Sequence, residues 1–223
     1  TRLPSPAGLK PNFDTISSFI RSGIRACRAV KPEIPPMIPL VNRGNNEMYR
    51  DWFDHYMERG EDFDYIGLSY YPFWHGTLQM LEDNMNDMAA RYGKELIVAE
   101  VSMGYTMEDY KQYEKLKDSE RKGYATKPEL VAKIEYPMTV QGQADFTKDF
   151  LNRVAHVRDN KGLGFFWWEP AWIPVHGSGW ATPASLKYMN DPGPCGNEWA
   201  NQALFDYDGN VLPALEVIRD FRK

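Results

Sequence analysis

Apolar positions along this chain alternate between two rhythms. Phe13, Ile16, Phe19, Ile20, Ile24, Cys27 and Val30 recur at steps of three, four or one, which predicts an amphipathic helix capped by Asn12 and stopped by Pro32. Residues 36–41 then read as a short strand with a proline-rich start. A second helix, capped by Asn45 or Asn46, carries Met48, Trp52, Phe53, Tyr56 and Met57, and Gly60 ends it. A continuous apolar strand follows at 65–69. After a loop comes a helix with Leu78, Leu81, Met85, Met88, Ala89 and Tyr92 on one side, closed by Gly93. The next strand is 96–100. A long charged loop reaches to about Val140, before a helix with Phe146, Phe150, Leu151, Val154 and Val157 and a fourth strand at 164–168. A loop of about forty residues leads to Pro213, which opens a closing helix with Leu215, Ile218 and Phe221. The order is a helix and then four βα units.

The strands are continuously apolar rather than alternating, as in parallel α/β sheets buried on both faces. A doubly wound sheet fits this rhythm as well as a barrel does. The barrel is favoured because several strand ends carry chemistry, whereas an open sheet gathers its site at one switch point. The strand at 65–69 breaks into Tyr70-Tyr71-Pro72-Phe73-Trp74-His75, that at 96–100 ends in Glu100, and that at 164–168 ends in Trp167-Trp168-Glu169. No GxGxxG or phosphate-loop motif is present.

Length allows one full core, although 223 residues is slightly short for a complete eight-fold barrel of about 250. A net charge of −5 argues against nucleic-acid or membrane-surface partners, and no apolar run approaches a spanning helix. The two cysteines exclude a disulfide framework, and Cys27 is expected to be a buried free thiol on the apolar face of its helix. Six of the seven tryptophans (Trp74, Trp167, Trp168, Trp172, Trp180 and Trp199) follow predicted strands, whereas core packing would spread them.

Flat aromatic faces beside hydrogen-bonding tips suit a sugar ring, with its apolar C–H face and hydroxyl rim. Glu100 is the leading catalytic candidate, because the sheet fixes the backbone of a strand end. Tyr70 and Tyr71 end an adjacent strand and can hydrogen-bond a carboxylate there. Trp74, Trp168 and Trp172 are candidate stacking rings, with His75 and Glu169 as polar neighbours. Strand alternation puts Trp168 on the side of Gly164 and Phe166, toward a barrel mouth, and Trp167 toward the helices. Residues 111–122 form a mixed charge run that rims a groove or is merely solvated.

Residues 62–77, then Ile97-Val98-Ala99-Glu100, then 166–175 and finally 201–210 together resemble an endo-β-1,4-galactanase of glycoside hydrolase family 53, over nearly the whole chain. The resemblance implies an α/β fold, the (β/α)8 TIM barrel of glycosidase clan A, and retaining hydrolysis of β-1,4-linked galactose in galactan and arabinogalactan type I, side chains of pectin. The four strands match strands five to eight, so residues 1–223 are expected to be the C-terminal part of a single catalytic domain. Glu100 is then the nucleophile. The acid/base Glu, in an Asn-Glu pair ending strand four, is expected upstream of Thr1; Asn197-Glu198 comes too late to fill that place. The chain alone is expected to be inactive without that partner half, and its substrate class implies a secreted or cell-surface enzyme. Two departures stand out. Pro39 occupies a place where the family usually has His. Glu108-Asp109 is followed by Tyr110-Lys111 rather than the Gly/Asp/Asn-rich run of calcium-binding members, so no metal and no cofactor is carried over. Two other readings stay open: another clan A β-glycanase such as a mannanase or glucanase, and a non-catalytic carbohydrate-binding remnant. With four strands of a barrel in the chain, 37–41 and 164–168 are expected to be the two sheet edges.

Overall fold

A computed structural model describes residues 12–41, 45–60, 62–108, 125–175, 181–190, 197 and 199–222. Residues 111–122, Trp180, Cys195 and Glu198 lie outside this set. In chain order the elements are α1 (Phe13–Val30), β1 (Met37–Leu40), α2 (Asn46–Met57), β2 (Tyr65–Tyr70), the one-turn α3 (Pro72–His75), α4 (Leu78–Tyr92), β3 (Glu95–Val101), the one-turn α5 (Pro128–Val131), α6 (Val140–Ala155), β4 (Gly162–Trp167), α7 (Pro183–Met189) and α8 (Pro213–Asp220). Single 3-10 turns occupy Arg158–Asn160 and Ala200–Gln202.

The four strands form one sheet in the order β1-β2-β3-β4, so β1 and β4 are its edges and do not pair with each other. β1 and β2 run parallel, with Met37 beside Tyr65 and Leu40 beside Leu68. β3 and β4 run the same way: the Leu96 N–H donates to the Lys161 carbonyl at one end, and the Trp168 N–H donates to the Val101 carbonyl at the other, both at 2.8 Å. Each strand reaches the next through a helix, the connection that parallel neighbours need. Pro39 is the exposed position of β1, and within this sheet β1 pairs only with β2. β2 is interior, and all of its residues from Ile66 to Tyr70 are buried. On the edge strand β4, by contrast, Leu163 and Phe166 are exposed, Phe166 at 60%.

The chain divides into two compact units. The first contains Thr1–Tyr70, Gln79–Glu100 and Val154–Phe166, and the second Tyr71–Leu78, Val101–Arg153 and Trp167–Lys223. β2, β3 and β4 each pass from the first unit to the second at their C-terminal ends.

In the first unit the helices start where side chains satisfy their orphan N–H groups. Asn12 accepts from the Thr15 N–H at 3.1 Å, and Asn45 from the Met48 N–H at 3.0 Å. The core is aromatic: Phe53 packs on Phe63 and Tyr92 at centroid distances of 5.8 and 5.5 Å, and Tyr56 meets Phe63 edge-on at 5.7 Å. The Tyr49 hydroxyl ties α2 to β1 by donating to the Leu40 carbonyl at 2.9 Å. Cys27 departs from expectation, because it is exposed. The only fully buried side chains of α1 are Ser17 and Ile24. The last turn overhangs, as its Val30 at 86% exposure shows, and Cys27 overhangs with it.

A reciprocal pair of ion bridges clamps α2 to α4. Arg50 on α2 holds Asp87 on α4 with two N–H donors, and Arg91 on α4 holds Asp54 on α2 in the same way. The Tyr92 hydroxyl also donates to Asp54 at 2.7 Å, and the Asn46 amide donates to Asp87 at 2.9 Å. Hydrogen bonds from Arg91 and Arg50 hold the Asp54 and Asp87 carboxyls below their ordinary value. Burial and the bond to Asp54 push the Tyr92 hydroxyl up.

Two outcomes follow for stability. Depressed carboxylates contribute fully above their unfolded value and lose that contribution as pH falls through the folded one, so the clamp acts above about pH 4 and fails below it. The melting temperature of an Asp54→Asn/Asp87→Asn variant is expected to fall less than that of the parent between about pH 5 and pH 3. Gly162 opens β4 where a Cβ would stand 1.9 Å from the Val154 carbonyl oxygen, a backbone atom that cannot yield cheaply. Gly162→Ala is expected to cost at least about 2 kcal/mol in denaturant unfolding.

Candidate active site

Tyr70 and Glu100 belong to the first unit. Tyr70 is the last residue of β2 and is buried, while Glu100 is the penultimate residue of β3 and is half-buried. The two strands are neighbours in the sheet, so both residues stand at adjacent strand ends. Alternation places Glu100 on the side of Leu96 and Val98, both buried. A carboxylate at this place inherits its backbone position from the ladder rather than from a loop.

The second unit gathers the aromatic candidates. Immediately after β2, Pro72 pre-sets the first turn of α3 and the chain folds back on itself. The His75 N–H donates to the Tyr71 carbonyl at 2.9 Å, while the His75 Nδ1 accepts the Tyr71 N–H at 3.1 Å. His75 is only 4% exposed, so this end of its ring fixes the Tyr71 backbone. Tyr71 packs against Trp74 and His75 at 5.9 and 5.6 Å.

Trp199 joins these rings to the segment after β4. Its centroid lies 5.5 Å from Tyr71, 6.5 Å from Trp74 and 6.4 Å from Trp168. Trp168 keeps 38% of its surface exposed, whereas Trp167 is buried and donates its indole N–H to the Gln202 carbonyl at 3.0 Å. The two neighbouring rings thus differ in exposure, as residues on opposite faces of a strand do. Glu169 follows in the left-handed region at φ 51°, and the Trp172 N–H closes that turn on the Glu169 carbonyl at 3.3 Å. The Trp172 indole N–H and the Val175 N–H both point to the buried Asn197 Oδ1 at 3.4 Å. Tyr71, Trp74, His75 and Trp168 are thus brought together, and Trp172 is tied to the same turn that carries Trp199. The sequence signal for Trp199 was its place among the tryptophans that follow strands, and nothing in its immediate neighbours separated it from packing.

A buried amide network holds the backbone beneath this cluster. The Gln143 Nε2, near the start of α6, donates to the carbonyls of Met103 and Ala203 at 2.8 and 2.9 Å. Ser102 donates to the Gln202 Oε1 at 2.8 Å, the Tyr105 N–H to the Asn201 carbonyl at 2.9 Å, and the Asn201 Nδ2 to the Thr106 carbonyl at 3.2 Å. Residues 102–106 and 200–203 are zipped together by these bonds. Beyond them, Asp206 closes a tight turn by accepting the N–H groups of Asp208 and Asn210 at 2.9 and 2.8 Å. Burial pushes the Asp206 carboxyl up, but the bonds from Asn210 and the turn backbone outweigh it and leave it below its ordinary value. Among the described residues no three His, Cys, Asp or Glu side chains gather as metal ligands.

A parallel β/α sheet with a carboxylate and aromatic rings at its strand ends is the scaffold of a β/α-barrel enzyme. The model of glycosyl hydrolase family 53 matches residues 2–218, and the chain belongs to that family. It is 36% identical over 228 residues to the endo-beta-1,4-galactanase of Bacillus subtilis strain 168, covering 93% of this chain and 50% of that protein. It is 29% identical to the arabinogalactan endo-beta-1,4-galactanase of Humicola insolens, covering 95% of this chain and 56% of that protein. Among solved structures, the Ignisphaera aggregans GH53 catalytic domain superposes with a TM-score of 0.78 at 31% identity, over 93% of this chain and 52% of that one. The chain therefore spans about half the length of these relatives. Its fold class is the (β/α)8 barrel, and β1 to β4 with their helices are consecutive βα units of it.

The amide network makes a direct test of what holds the second unit. Gln143→Leu fills the space but leaves the Met103 and Ala203 carbonyls buried without that donor. Unfolding in denaturant is expected to show a loss of about 2–4 kcal/mol.

Proposed function

We propose that the protein is the nucleophile-bearing part of a retaining endo-β-1,4-galactanase. The observation that carries this is Glu100 at the C-terminal end of an interior strand, in a chain of glycosyl hydrolase family 53. Likeness to proteins named as galactanases supports galactan as the substrate. In this reading β1 to β4 are strands five to eight of the barrel. The acid/base Glu lies in the part of the domain that the relatives have and these 223 residues do not span.

Retaining hydrolysis needs two carboxyls about 5–5.5 Å apart. A Glu100 carboxylate oxygen attacks the anomeric carbon, and the glycosidic C–O bond breaks. The leaving oxygen takes the proton of the second carboxyl, which leaves a galactosyl ester on Glu100. The second carboxylate then removes a proton from water, water oxygen replaces the ester, and the β configuration is restored. Neither step calls for a metal or a cofactor. Trp74, His75, Trp168, Glu169 and Trp172 supply sugar contacts, Trp168 by stacking its exposed indole on a galactose ring, while the buried Tyr71, first read as a contact, packs behind them. A pectic polymer is too large to enter a cell intact, which places the enzyme outside it. Among the described residues no helix is long and apolar enough to cross a membrane.

The test is Glu100→Gln in the intact protein, with release of reducing sugar from β-1,4-galactan as the readout. Turnover is expected to fall by about a thousandfold or more with unchanged circular dichroism. Proton NMR of the first product should show the β anomer. Comparable hydrolysis by variant and parent would remove Glu100 from the role. Faster cleavage of mannan, glucan or xylan than of galactan would favour another β-glycanase.

A further inference from the structure

We infer that Trp199 is a positioning residue of the sugar-binding surface, holding the Trp168 indole in the orientation that meets a neutral β-linked hexopyranose. The inference rests on the reading of Trp168 as a sugar contact and adds a residue that this reading did not contain. The two rings meet nearly edge to face, 6.4 Å apart at 72°, the arrangement that aromatic quadrupoles favour. Trp199 also meets Trp74 at 68° and Tyr71 at 41°. One ring thus braces the segment after β4 against the turn after β2. An exposed indole that binds by stacking must otherwise be ordered when the sugar arrives, which costs side-chain entropy and weakens affinity.

The brace is itself fixed. Its turn is closed by the Ala200 N–H on the Asn197 carbonyl at 3.1 Å and the Gln202 N–H on the Trp199 carbonyl at 2.9 Å. Asn197 is buried and binds the Trp172 indole and the Val175 N–H, so the turn is tied to the segment that follows Trp168. On the far side Tyr71, at 6% exposure and pinned by His75, backs the cluster rather than facing a ligand. None of these rings carries a charge, which suits the C–H face of an uncharged sugar.

A double-mutant cycle tests this. Binding of β-1,4-galactotetraose is measured by titration calorimetry in the intact protein with Glu100→Gln as background. The forms compared are Trp168→Ala, Trp199→Leu and the pair. Trp168→Ala is expected to weaken binding about tenfold. Trp199→Leu should weaken it by a similar factor when Trp168 is present, and by less than about twofold in the Trp168→Ala form. The near-UV circular dichroism band of Trp168 should shrink when Trp199 is removed. Trp199→Phe, which keeps a ring, provides a second cycle with a smaller coupling of the same sign, and decides the matter if the leucine form does not fold. Unchanged affinity on loss of Trp199, or a loss that is the same with and without Trp168, overturns the positioning role while the sugar surface stands. Unchanged affinity in Trp168→Ala overturns both. Heat of hydrolysis in the background protein would instead count against Glu100.

Discussion

Parallel pairing is the constraint from which the chemistry of this chain follows. Strands that run the same way deliver all their C-terminal ends to one edge of the sheet, and each must leave through a helix to begin the next. Residues that end β2, β3 and β4 therefore become neighbours in kind without being neighbours in sequence. The chain uses this economically. Its three most unusual transitions from apolar to aromatic and acidic residues fall at those ends, and the division into two units falls there too. A carboxylate at position 100 needs no loop of its own to be placed, because the hydrogen bonds of β3 already place it.

Different forces stabilise the two units. In the first, aromatic side chains fill the space around Phe53 and Phe63, and charged groups are spent on the outside, where Arg50, Asp54, Asp87 and Arg91 cross-link α2 and α4. Such exposed pairs contribute little one at a time, so their value lies in fixing helix register as a network. In the second unit the buried groups are amides. Gln143, Asn201 and Gln202 bind backbone carbonyls and side chains in segments that have little regular structure. A loop that leaves a sheet carries polar backbone groups that water would otherwise satisfy, and long amide side chains are the means of pairing them in a buried place.

What the sequence showed follows the same division. Continuous apolar runs and helical spacing gave the four strands and five longer helices to within a few residues, since burial on a regular element leaves a periodic trace. The edges at β1 and β4 followed from reading the strands as part of a barrel, which pairs them in chain order, where a doubly wound sheet would not. The one-turn α3 and α5 left no period to read, and α7 announced itself only by Thr182-Pro183, a capping residue and an N1 proline. Cys27 shows the limit from the other side: its spacing matched the buried face of α1, but spacing cannot tell where along its length a helix ceases to be covered. The places of Glu100, Tyr70 and Trp168 at strand ends were legible because the strands themselves were. Trp199 was not, because its partners come from two segments far from it in sequence, after β2 and after β4, and only the folded chain brings them together.

The backbone marks the same region independently. Among the described residues four that are not glycine have positive φ: Asp159, Asn160, Asn190 and Glu169. The first three are of the kinds whose short polar side chains tolerate the left-handed region, and Asn190 serves as the left-handed cap of α7. Glu169 has no such excuse. A glutamate there costs about 1 kcal/mol or more that glycine would not, so something other than local preference keeps the residue and its conformation. Its neighbours say what that is. Trp168 must leave the edge of β4 with its indole exposed against Trp199, and Trp172 must return within four residues to reach Asn197. A left-handed residue between them turns the chain between the two indoles, one packed beside Trp199 and the other bound to Asn197.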